Sequence, residues 1–175
     1  MIYNYYKVVE NLNKSKLFKG ILYIETFMKL IDITKNNWEK IVCLTTNKEN
    51  MPTLCEEYVA SNAFSIVQAK YEETWITKAI EHDGEIIGFT MYGYCEEQKF
   101  YELCRIMIDK KYQGHGFGTK AIKMVLEEMK NIKNCKEVFL STDSENMRGK
   151  HIYEKIGFIN TGKKIDDEEL YYYKF

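Results

Sequence analysis

The chain has 175 residues, with 25 lysines and arginines against 26 aspartates and glutamates, 45% hydrophobic content and 14% aromatic content. That length fits one domain able to bury a substantial core, and a formal net charge of −1 leaves no overall electrostatic footprint for nucleic acid. The N-terminus lacks a signal peptide's clean apolar core and cleavage site, and no apolar run approaches transmembrane length, so a cytoplasmic protein with neither a membrane nor a nucleic-acid partner is expected.

Early in the chain, residues 11–19 read as a polar linker, and Ile21 to Ile24 could form a short strand or helix. Residues 29–33 read as a first strand. Thr34 is placed to cap a helix carrying Trp38, Ile41, Val42 and Leu44. A loop with the only proline, Pro52, precedes helical spacing through Tyr58, Ile66 and Ala69 that is interrupted near Ser61 and Asn62. Two apolar runs, 74–81 and 85–94, flank Asp83-Gly84, a strong hairpin signal. Residues 100–108 add a third antiparallel strand. Strict alternation would place Leu103, Arg105 and Met107 on one face and Glu102, Cys104, Ile106 and Ile108 on the other.

After this strand comes Tyr112-Gln113-Gly114-His115-Gly116-Phe117-Gly118-Thr119, then an amphipathic helix whose apolar stripe is Phe117, Ala121, Val125 and Met129. Residues 138–140 form a buried strand, and 146–156 a helix closed by Gly157. Residues 158–159 with 170–175 form a final hairpin. Strands followed by helices on both faces make a three-layer α/β sheet.

Three alternating glycines before a helix suit a phosphate, because glycine lets the backbone approach a ligand and the first helical N–H groups point outward at the positive end of the dipole. A Walker loop is excluded, since Thr119 falls where its second glycine should be. Gly116 to Ala121 does fit the dinucleotide fingerprint, with Asp143 as a ribose-binding acid, yet Asp109 to His115 intervene after the strand and too little chain follows for a doubly wound sheet. Five cysteines, Cys43, Cys55, Cys95, Cys104 and Cys135, are an odd number without CxxC spacing or a nearby histidine cluster, so free thiols and no metal are expected. Cys104 reads as a small buried hydrophobe more readily than as a nucleophile, having no activating histidine placed beside it in sequence.

The Gln113-x-x-Gly116-x-Gly118 loop, the preceding Arg105-Ile106-Met107-Ile108-Asp109, and Asn146 with Tyr153-Glu154-Lys155-Ile156-Gly157-Phe158 together resemble the GCN5-related N-acetyltransferase (GNAT) family. Within it, Val59 to Ala63, Gln68-Ala69 and Ile87 to Gly93 look like bacterial spermine/spermidine acetyltransferases. The resemblance implies a domain over 28–175 with an extension over 1–27, and a mixed central sheet flanked by helices whose splayed central strand binds acetyl-CoA. It also implies roles. Ile106, Met107 and Ile108 would bond the pantetheine arm through their backbone, and an amide of Met107 or Ile108 would stabilise the oxyanion. Gln113, Gly114, His115, Gly116, Phe117, Gly118 and Thr119 would hold the pyrophosphate, with Lys120 adding charge and Asn146 contacting CoA. Tyr153 falls at the general acid.

Acyl transfer to an amine also needs a proton acceptor, and Glu102 on the central strand is a candidate. In polyamine-acetylating relatives an acid on this strand helps bind the cationic acceptor; its counterpart here is Cys104. Glu56 and Glu57 could add acceptor charge, whereas the run Asp166 to Glu169 belongs to a hairpin turn, where charges are usually solvated. His151 should face solvent. The expected activity is transfer of acetyl from acetyl-CoA to a primary amine, a polyamine for preference. An antibiotic amine, a protein amine and a non-catalytic acyl-CoA-binding module are the alternatives, and a homodimer is left open.

Overall fold

Asp83 and Gly84 both take left-handed backbone (φ +51° and +83°), which turns β2 (Trp75–His82) back onto β3 (Glu85–Cys95) as the hairpin signal predicts. Around this hairpin, in a computed structural model describing residues 27–47 and 61–175, β1 (Met28–Asp32), β4 (Phe100–Ile108), β5 (Glu137–Thr142), β6 (Ile159–Ile165) and β7 (Glu168–Lys174) complete one mixed sheet. Its order is β1-β2-β3-β4-β5-β7-β6, with β4 and β5 parallel and the other neighbours antiparallel. The Pro52 loop, Cys55, Glu56, Glu57, Tyr58 and residues 1–26 lie outside the described residues.

Helices α1 (Trp38–Val42) and α2 (Asn62–Tyr71) cover one face, where Ile41, Trp75, Ala79, Phe89, Met91 and Met107 are buried together. The opposite face carries α3 (Phe117–Lys130) and α4 (Met147–Ile156). There the predicted stripe of α3 holds: Ala121, Val125 and Met129 are fully buried, with Ile122 and Leu126 beside them, against Leu103, Val138, Leu140 and Tyr171. Removing this much apolar area from water is the main favourable term for closing the layers. The antiparallel strands and mixed sheet also dispose of a doubly wound dinucleotide fold.

Two local expectations need correction. Thr34 does not cap α1. Asn37 accepts a bond from the Thr34 N–H (2.7 Å) and donates to the Asp32 carbonyl (2.9 Å), so its amide staples a turn first and the helix begins only at Trp38. The second correction concerns β4. Met91 pairs with Arg105 but Tyr92 pairs with Leu103, leaving Cys104 as the extra residue of a β-bulge. A bulge reverses the alternation beyond it. Leu103 therefore shares the α3 face with Ile106 and Ile108, while Cys104 and Met107 pack on the α1–α2 side.

Strands β3 and β4 approach so closely at Gly88 that a Cβ there would lie 2.4 Å from the Met107 carbonyl oxygen and 3.0 Å from the Ile80 and Ile108 side chains. Gly88→Ala should lower the unfolding free energy by about 2 kcal/mol in urea titration, as overpacking against backbone typically does. A loss below about 0.5 kcal/mol would mean that β4 yields freely.

Candidate active site

A single bridge, Glu102 to Phe139, joins β4 to β5. Beyond it the strands part, while β5 stays paired with β7 along its whole length. Past the bridge β4 stays paired with β3 and, among the described residues, makes no further ladder to β5. Backbone polar groups left so are strong ligand-binding groups. The gap opens into a cavity of about 550 Å³ lined by Ile106, Met107 and Ile108 from β4, by the glycine loop, and by the start of α4 with Ile152 and Tyr153.

Six of the seven predicted loop residues reach this cavity; His115 does not, being exposed and stacked on Phe117 at 5.9 Å. Gly114 (φ +90°) and Gly116 (φ +79°) occupy left-handed backbone, which makes glycine a conformational requirement there. Gly116 is also the N-cap of α3. With no capping side chain, the first-turn N–H groups remain available to a ligand. Gly118 differs. It is helical, and a Cβ on it would meet only Ile108 Cγ1 at 3.9 Å, so neither strain nor packing demands glycine and the space lies open toward the main chain. Gln113 acts through its side chain: Nε2 donates to the Ile108 carbonyl (3.0 Å) and Oε1 accepts from Arg148 Nη1 (3.3 Å), bracing the loop between β4 and α4.

Asn146 lines the cavity as the N-cap of α4, accepting from the Gly149 N–H (3.0 Å) and donating to Thr142 Oγ1 (2.9 Å). This geometry explains the small residue at 149, where a Cβ would lie 2.5 Å from Asn146 Nδ2. One turn further on, Tyr153 is half-buried against Phe158 and Tyr171, with ring centroids 6.0 and 6.4 Å away. Burial, reinforced by the charge of Glu168, pushes its phenol up to about 12, so it carries its proton at neutral pH. His151 is exposed, as predicted.

Glu102 and Cys104 are part-buried on the other face and do not line the cavity. Burial raises the Glu102 carboxyl; Arg105 and a bond from Cys95 oppose this, and Glu168 adds to it. Burial also pushes the Cys104 thiol up to about 12, leaving almost no thiolate and supporting its reading as a small hydrophobe. The acidic run divides: Asp166 and Asp167 are exposed turn residues, whereas Glu168 and Glu169 are part-buried on β7, Glu169 paired with Lys150 at 3.0 Å. Arg148 in the cavity lining and Glu168 beside Ser141 were given no role by sequence reading, and Asp143, which also lines the cavity, entered only the rejected dinucleotide reading. The signal for Arg148 is its place in the first turn after Asn146; Glu168 approaches only through strand pairing. Among the described residues no cluster of histidine, cysteine, aspartate and glutamate could hold a metal ion, and no helix is long and apolar enough to cross a membrane.

Fold and cavity define a three-layer α/β acyltransferase of the coenzyme A-dependent kind. The model of the acetyltransferase (GNAT) family matches residues 38–158, and the chain belongs to that family as an acetyl-CoA-dependent N-acetyltransferase. It is 28% identical over 137 residues to a probable spermine N(1)-acetyltransferase of Bacillus subtilis subsp. natto and 27% identical to a spermine/spermidine N(1)-acetyltransferase of Bacillus subtilis strain 168, in each case over 75% of this chain and 87% of the relative. Among solved structures, spermidine N-acetyltransferase from Vibrio cholerae in complex with CoA and spermine superposes with a TM-score of 0.66 at 20% identity, covering 84% of this chain and 95% of that one.

If the Asn146 cap is what excludes a side chain at position 149, Gly149→Ala and Asn146→Ala should each cost about 1 kcal/mol of stability and the double variant little more than either. Additive losses in a double-mutant cycle by urea denaturation would show two unrelated effects.

Proposed function

We propose that this enzyme acetylates a polyamine such as spermidine or spermine. The observation that carries the reading is the similarity, across three quarters of the chain, to two Bacillus enzymes named for spermine and spermidine. Glu102, a part-buried carboxylate beside the splay, supplies the negative charge that a cationic acceptor needs.

In this mechanism the main chain of Ile106, Met107 and Ile108 along the splay holds the pantetheine arm, and an amide of Met107 or Ile108 faces the thioester oxygen as its charge grows. The amides from Gln113 to Thr119 hold the pyrophosphate at the mouth of α3, and Asn146 borders the same cleft. Glu102 accepts the ammonium proton directly or through one water, its raised pKa making it a better base than an exposed glutamate. The amine lone pair then bonds to the carbonyl carbon and the carbon–sulfur bond breaks; Tyr153 gives its proton to the departing sulfur, and the new amide nitrogen loses its second proton, which restores the phenol directly or through water. A phenol near 12 would be a poor donor to a thiolate in water. The transfer therefore depends on the phenol lying directly against the departing sulfur, where proximity makes up for the unfavourable difference in acidity.

Turnover measured with spermidine, spermine, aminoglycosides and lysine or N-terminal peptides tests the acceptor. Spermidine or spermine should show the highest kcat/KM; robust peptide or aminoglycoside turnover without polyamine turnover would overturn the reading. Tyr153→Phe should lower kcat by roughly one to three orders of magnitude with the Kd for CoA nearly unchanged by calorimetry. Unaltered kcat would transfer the acid role to another group or to water.

A further inference from the structure

Ser141 stands two residues beyond the last β4–β5 bridge, on the strand that forms the far wall of the splay. Its Oγ donates to Glu168 Oε2 at 2.5 Å, which fixes the carboxylate of the first residue of β7 at that wall. Alternation defines the face. Val138 and Leu140 enter the α3 core, so Phe139 and Ser141 point the other way, toward the side on which Glu102 and Cys104 lie. Glu168 is part-buried and, among the described residues, enters no ion pair, in contrast to Glu169 beside it with Lys150. A part-buried carboxylate held by one hydroxyl retains acceptor capacity for a cation.

We propose that Glu168 binds the reacting ammonium of the acceptor, seating it at the β5–β7 wall of the splay between Glu102 of β4 and Tyr153 of α4. The groups facing it fit that task. Its charge is felt by Glu102 and Cys104 of β4 and by Tyr153 of α4, with Arg105 the cation on the β4 side. Nothing in this role depends on the rest of the acceptor. It rests on the reading above only in taking a primary ammonium as the group that reacts.

Glu168→Gln keeps an oxygen for Ser141 and removes the charge, which suits it to the test. At saturating acetyl-CoA, KM for the amine should rise about tenfold or more while KM for acetyl-CoA stays within about twofold, and Glu168→Asp should recover most of the loss. Both limbs of the kcat profile should also move to lower pH, because removing a neighbouring negative charge lowers the pKa of Glu102 and of Tyr153 alike. That shift reports the lost charge alone; the amine-selective rise in KM with rescue by Glu168→Asp is what a merely structural role would not give. An amine KM within about twofold of the native value, in a folded variant that binds CoA normally, would overturn the proposal. If Glu168→Gln does not fold, the carboxyl carbon resonance of Glu168 in native protein with CoA decides: a shift on adding the acceptor amine upholds the proposal, and none overturns it. Should spermidine fail as a substrate and another primary amine succeed, the same KM increase with that amine would uphold Glu168 and sink the polyamine reading; an unchanged KM for a turned-over polyamine would do the reverse.

Discussion

The constraint on which the molecule depends is a row of backbone groups along β4 that the sheet declines to pair. A buried peptide group without a partner costs on the order of 1–3 kcal/mol, so the opening after Glu102 has to be held apart by its surroundings. Two devices do this. On one wall, β5 is fully engaged with β7; on the other, the bulge at Cys104 redirects β4 so that Ile106 and Ile108 turn into the α3 core. Apolar burial on both sides of the sheet thus stabilises a gap that backbone pairing alone would close.

Chemistry then divides between the two faces. The cleft beneath the α3 and α4 N-termini gathers the uncapped amides of α3 and the Tyr153 phenol, while Glu102, Cys104 and the Ser141-bound Glu168 lie on the reverse. Under the proposed reading an anionic ligand would enter from one side and a cationic one from the other, their opposite electrostatic demands kept apart until they meet at the splay. Burial tunes the groups nearest that meeting point in a consistent direction, toward proton-bearing neutral forms.

Local signals made much of this legible. Asp83-Gly84 announced its hairpin, the third strand was bounded at Phe100 and Ile108, and the stripe from Ala121 to Met129 identified the buried side of α3. Asn146, Tyr153 and the glycine loop apart from His115 line one cavity, although they lie far apart in sequence. What escaped was non-local. A bulge depends on how two strands match, although the spacing Leu103-x-x-Ile106-x-Ile108 does carry a trace of its broken alternation. Glu168 was lost in an acidic run, because nothing in Asp166-Asp167-Glu168-Glu169 tells which carboxylates turn into solvent and which lie against Ser141.

The three glycines of the loop answer to different masters, and that sets their evolutionary fates apart. Gly114 and Gly116 are fixed by the sign of φ, so any descendant keeping this turn must keep them or accept strain. Gly118 sits in ordinary helix with room for a methyl group, where alanine would favour the helix by about 1 kcal/mol. Drift toward alanine at 118 is therefore downhill for stability and opposed only by a ligand that needs the backbone bare. A lineage that stopped handling the coenzyme would shed this glycine first, making position 118 a molecular fossil by which silent descendants of such an enzyme could be told from working ones.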